Sequence, residues 1–125
     1  MVDLVADSFV DAPRKVVADR LADPAFWRAV WPEVTLTAYH ERGEEGTRWY
    51  VAGVLIGTAE VWLEPYWEGT LVHVYVRADP STRRRRIHRM AERYVRRLKR
   101  ALFGLKDALE SEFGSEVGSD GDTGD

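Results

Sequence analysis

The sequence predicts an α+β protein, with an antiparallel sheet of about five strands wrapped around one long C-terminal helix and two short helices after strand one. Three observations carry that expectation. Four stretches of period-two alternation lie between residues 34 and 77, separated by Gly-containing turns, as in an antiparallel meander. From about Ser81 to Phe113, apolar residues instead recur at three- and four-residue steps, the spacing of one helical stripe. Between the first strand and the meander, prolines punctuate a short helical pattern.

The elements follow in order. "DLVADSFVDAP" sets Leu4, Ala6, Ser8 and Val10 against Val5 and Phe9 and stops at Pro13, which reads as a strand. Val16, Val17, Ala18 and Leu21 then fall at helical spacing, with Pro13 suited to a helix start. Asp23-Pro24 interrupts the pattern, so two short helices are expected, the second ending before Pro32. The strands of the meander are Val34–His40, Thr47–Val54, Thr58–Glu64 and Thr70–Arg77. "ERGEEG", Leu55-Ile56-Gly57 and "PYWEG" are the expected turns between them. The long helix carries Ile87, Ala91, Tyr94, Leu98, Leu102, Leu105 and Leu109 on its apolar side. Residues 1–113 are thus expected to form a single domain, and 114–125, rich in Gly, Ser and acid, a disordered acidic tail.

At 125 residues the chain suits one domain, and 45% hydrophobic with 31% charged residues is a globular balance. It has no cysteines, which excludes disulfides and thiol chemistry and fits a cytoplasmic location. No apolar run is long enough for a membrane span, and "MVDLVADSFVDAP" lacks the basic start of a secretion signal.

The net charge of −3 conceals a division. Residues 1–81 hold seven basic and thirteen acidic side chains, 82–106 hold eleven and one, and 107–125 hold seven acidic and no basic ones. The basic run "RRRRIHRMAERYVRRLKR" invites a nucleic-acid or anionic-membrane reading. At 100° per residue, however, Arg86, Arg89, Arg93, Arg96 and Arg100 fall opposite the apolar stripe, as on a solvated face. Arg83 and Arg84 sit nearer the stripe, and Asp79 or the tail is the acidic partner expected there. The acidic remainder of the chain and the shortage of aromatics on the basic face argue against a nucleic-acid partner.

The element order, with the opening strand ending in "DAP", "LADPAFWRAVWPEV", "GTRWYVAG" and "WLEPYWEGTLVHVYVRAD", resembles the START/SRPBCC superfamily over about residues 3–113. This is the helix-grip fold, related to the birch pollen allergens, and within it the bacterial polyketide cyclase/dehydrase and lipid-transport-like proteins. The resemblance implies an apolar small molecule, such as a lipid, polyketide or quinone-like compound, held in a cavity or groove between sheet and C-terminal helix. Family members usually have six strands in the meander. Four here imply a smaller or more open cavity.

Alternation names the residues that such a site would use. Val34, Leu36, Trp49, Val51, Val61, Leu63, Val72, Val74 and Val76 share the more apolar phase, against which the helix stripe must bury. Trp27 and Trp31, at the end of the helical pair, fall where a mouth would be. The ligand-binding set expected is therefore Trp27, Trp31, Trp49, Val51, Val61, Leu63, Val74, Tyr94 and Leu98, with plain core packing as the alternative for each. The opposite phase holds Tyr39, Arg48, Tyr50, Trp62, His73 and Tyr75, with Glu60 and Glu64 beside Trp62. Tyr39, Tyr50, Trp62, His73 and Tyr75 are the candidates for a homodimer interface through the outer sheet face, cross-strand pairing being the alternative.

No nucleotide-binding or nucleophile-elbow motif occurs, and His40, His73 and His88 lie on separate elements, so neither metal nor cofactor is expected. Three functions remain open: apolar-ligand binding without chemistry, a polyketide cyclase or dehydratase, and an adaptor using the basic helix. Catalytic residues are not identified, although Tyr94 could polarise a bound substrate, as Arg48 or His73 could if they faced inward.

Overall fold

The computed structural model describes residues 1–81 and 87–114, and the side chains from residue 89 onward in the C-terminal helix. Arg83, Arg84 and Arg86, the side chains of Ile87 and His88, and the acidic tail expected beyond Gly114 lie outside the described residues. Among those described, strand β1 (Val2–Val10) leads into helices α1 (Arg14–Ala22) and α2 (Pro24–Val30). Strands β2 (Val34–Glu41), β3 (Gly46–Gly53), β4 (Leu55–Tyr66) and β5 (Gly69–Pro80) follow, then helix α3 (Ile87–Phe113). One antiparallel sheet takes the order β1-β5-β4-β3-β2, so the first and second strands are its two edges.

The register brings the apolar phase together. Leu36 pairs with Val51, Trp49 with Ala59, Val61 with Val74 and Leu4 with Val76. Met90, Tyr94, Leu98, Leu102, Leu105 and Leu109 of α3 are buried in the same core cluster. Each aliphatic side chain so buried is worth about 1.5–3 kcal/mol, which is what holds a helix bearing so many arginines onto the sheet. Polar bonds fix its position: Lys106 Nζ donates to the Phe9 carbonyl at 2.9 Å, and Glu110 Oε2 accepts from the Asp11 amide at 2.8 Å.

Asp23 separates the two short helices. Its amide closes α1 on the Arg20 carbonyl, and its carboxylate caps α2 by accepting from the Ala25 amide at 2.9 Å. Pro24 occupies the first turn of α2, where a missing N–H costs nothing.

One detail differs from the sequence expectation. Leu55-Ile56-Gly57 is not a turn. Leu55 is buried in β4 and pairs with Pro80, and the chain reverses at Gly53-Val54, where Gly53 has φ +115°. A left-handed glycine allows a reversal tight enough to leave Leu55 for the core. Asp79 pairs with the N-terminal amine of Met1 at 3.3 Å, and the pairing expected at Arg83 and Arg84 lies outside the described residues.

Candidate functional site

The sheet is covered unevenly. α3 packs along the β1 side, and the α1–α2 corner stands over the β2–β3 side. Between that corner and the outer strands lies a groove of about 390 Å³. Pro24, Trp27, Pro32, Val34, Leu36 and Trp49 form its apolar walls, and Arg28, Thr35, Glu41 and Thr47 supply polar groups. The volume falls in the usual range for small-molecule pockets.

The walls are held from behind. Trp27 Nε1 donates to the Leu21 carbonyl at 2.7 Å, so the indole is satisfied while its ring packs edge-on against Trp49 at 5.3 Å. Phe26 contacts Trp27 edge-on at 5.0 Å and braces it from the far side of α2.

The expected ligand residues divide by position. Trp27 and Trp49 line the groove. Val51, Val61, Leu63, Val74 and Leu98 are at most 4% exposed and pack together between sheet and helix. Trp31 is stacked on Tyr94 with its Nε1 donating to the Tyr94 carbonyl at 3.2 Å, so both rings belong to the packing that joins α2 to α3. Pro24, Pro32, Arg28, Thr35, Glu41 and Thr47 line the groove without having been named from sequence. The two prolines bracketing α2 were the available signal, because they set the corner that overhangs β2.

The Tyr94 hydroxyl donates to Glu33 Oε1 at 3.2 Å, and Arg97 Nη1 donates to both Glu33 oxygens at 3.0 and 3.1 Å. Burial, reinforced by the adjacent Glu33 carboxylate, pushes the Tyr94 phenol up to about 12. Burial raises the Glu33 carboxyl, but the Arg97 and Tyr94 bonds outweigh it and hold the group below its ordinary value. A phenol so committed is a weak proton donor to anything else.

Arg48 and His73 face outward. Arg48 pairs with Glu60 at 3.3 Å, beside a shorter Arg42–Glu60 pair at 2.8 Å. His73 lies between Asp7 at 2.7 Å and Glu64 at 3.2 Å and stacks on Trp62 at 4.7 Å. Tyr39 and Tyr50 stack at 4.3 Å, and Tyr39, Tyr50, Trp62 and Tyr75 are each 38–56% exposed. Among the described residues no group of three or more His, Cys, Asp or Glu could hold a metal ion. No described helix is long and apolar enough to cross a membrane.

Comparison with solved structures gives the fold its class. The chain is similar to the Aha1 dimer from Colwellia psychrerythraea, with a TM-score of 0.65 and 15% identity over 88% of this chain and 97% of that one. It is also similar to a START superfamily protein from Mycobacterium smegmatis, with a TM-score of 0.53 and 13% identity over 87% and 99%. A third likeness is to Ara h 8.0201, with a TM-score of 0.51 and 12% identity over 85% and 97%. No family model matches the sequence, and no curated protein matches it significantly. The fold is the helix-grip fold of START/SRPBCC-type proteins, here with a five-stranded sheet.

Proposed function

We propose that the protein binds an apolar small molecule in the groove between the α1–α2 corner and strands β2 and β3. The observation that carries this reading is the meeting of Trp27, Trp49, Leu36 and two prolines around about 390 Å³ of concave space. Two indoles set at an angle present faces and edges to a flat ring system, and Arg28, Glu41 and the two threonines offer orienting hydrogen bonds. Nothing in this arrangement requires chemistry on the ligand. Tyr94, the residue expected to polarise a substrate, does not line this groove and is engaged with Glu33.

The test is an NMR titration with 2-naphthol, a neutral two-ring probe, observing the indole N–H signals. Saturable shifts at Trp27 and Trp49, lost when Leu36→Trp fills the groove, are expected. Binding that leaves both signals unmoved, or that survives Leu36→Trp, would refute the assignment.

A second reading concerns the other sheet face, where Val5, Tyr39, Tyr50, Ile56, Trp62 and Tyr75 are all exposed. We infer that two copies pair through this face, burying aromatics between self-complementary charges such as Arg77–Asp3 at 3.1 Å. The dimeric state of the similar Aha1 protein lends support. Sedimentation should show a dimer that Tyr50→Glu dissociates. A monomer at high concentration refutes it.

A further inference from the structure

α2 is a wall with two sides. Trp27 and Arg28 face the groove described above, while Phe26, Ala29 and Val30 face α3 across a second groove of about 420 Å³. Arg97, Arg100 and Ala101 form its opposite wall. The groove has a local cause. The C-terminal end of α2 is pinned to α3 by the Trp31–Tyr94 bond, and Glu33 follows with its pair to Arg97. Beyond that pin the facing residues include Ala29 and Ala101, too small to close the gap between two helices.

The apolar floor is bordered by two arginines whose hydrogen-bonding capacity is only partly used among the described residues, the Arg97 guanidinium also lying over the Tyr94 ring at 5.4 Å. Arg97 meets Glu33 through Nη1 alone, so its Nε and Nη2 have no hydrogen-bond partner among the described residues. Arg100 has neither ion pair nor hydrogen bond among them. A solvated helix face accounts for arginines that point into water, such as Arg96. Arg97, half-buried, and Arg100, exposed, instead border an apolar furrow. A guanidinium offers five N–H donors in a planar fork suited to a carboxylate.

We propose that the α2–α3 groove binds a small amphipathic monoanion, its carboxylate on Arg100 and the free edge of Arg97, its alkyl body along Phe26, Val30 and the two alanines. This site is separate from the Trp27–Trp49 groove and does not depend on its occupancy. A ten-carbon chain matches α2, whose seven residues span about 10 Å.

The experiment is an amide NMR titration of the full chain with sodium decanoate, with sodium acetate as the control for the head group and 1-decanol for the tail. Decanoate should give saturable shifts within residues 26–30 and 97–101. Arg100→Gln should weaken it about tenfold, as loss of a charged hydrogen bond does, and leave 1-decanol affinity within about twofold, since that probe carries no charge. Ala29→Leu, at an exposed position where folding is not at risk, should block decanoate and leave the 2-naphthol response of Trp27 and Trp49 intact. Absence of saturable decanoate shifts, shifts confined to residues 34–49, equal affinity in Arg100→Gln, or the same response to acetate would each overturn the proposal. Because 2-naphthol reports the other groove, failure at either site is read separately.

Discussion

Trp31 and Tyr94 are joined twice: their rings stack at 5.6 Å and 18°, and the Trp31 indole N–H donates to the Tyr94 main-chain carbonyl at 3.2 Å. This pair ties the end of α2 to the middle of α3 across 63 residues of sequence. Trp31→Phe keeps a stacking ring and loses the bond, at an expected cost of about 1–2 kcal/mol. Trp31→Ala removes the ring as well and should cost about 3–5 kcal/mol. Urea denaturation measures both. Trp31→Phe should leave the 2-naphthol response intact, because Trp31 does not line that groove.

The Tyr94 hydroxyl, bonded to Glu33 beside Arg97, predicts two pH limits. Glu33 is depressed in the folded state, so its contribution is present above the ordinary value of 4.5 and fades as pH falls through the lower folded one. Tyr94 is raised, so its contribution is intact below its ordinary value of 10.0 and is lost as pH rises from there through about 12. Urea midpoints compared between wild type and Tyr94→Phe should converge across that alkaline interval. Parallel curves would mean that the hydroxyl is not coupled to folding.

Gly46 opens β3 at φ +121°, and a Cβ there would stand 1.9 Å from the Val61 carbonyl oxygen. Both the backbone angle and the contact oppose any side chain. Gly46→Ala should destabilise by at least about 2 kcal/mol, seen as a lowered midpoint in thermal or urea unfolding.

Trp67 is the opposite case. It occupies the first loop position between the paired residues Tyr66 and Gly69 with φ +56°, yet it is 87% exposed. Trp67→Gly should therefore raise stability by about 1 kcal/mol, since the left-handed angle costs roughly that much for a residue with a Cβ. A loss of stability would mean that its edge contact with Tyr66, at 6.4 Å, outweighs the strain.

The faces of this protein and the meander from β2 to β5 were legible in its sequence, and the place of β1 beside β5 was not. Period-two alternation separates Val61 and Val74 from Trp62 and His73 without ambiguity, because a one-residue slip would expose every valine. The α3 stripe was legible from its three- and four-residue steps, and so was the break between two short helices at Asp23-Pro24, though not the Asp23 cap. Alternation is silent about what lies above each strand. The order β1-β5-β4-β3-β2 leaves β2 and β3 under the α1–α2 corner, which is why Trp49 borders a groove while Val61, on the next strand, is packed solid. Leu55 was misplaced because Leu-Ile-Gly looks like a strand end followed by a turn residue. A glycine two positions earlier had already made the turn.

The irregularity between Ala38 and His40 in β2 has a consequence for the life of the protein in a crowded solution. β2 is an edge strand, and its outward N–H and C=O groups would otherwise form a straight template on which another chain could add a strand. The extra residue, Tyr39, twists that template out of line partway along its eight residues. The kink therefore serves as a guard against polymerisation, and a chain lacking Tyr39 would present an uninterrupted sticky border.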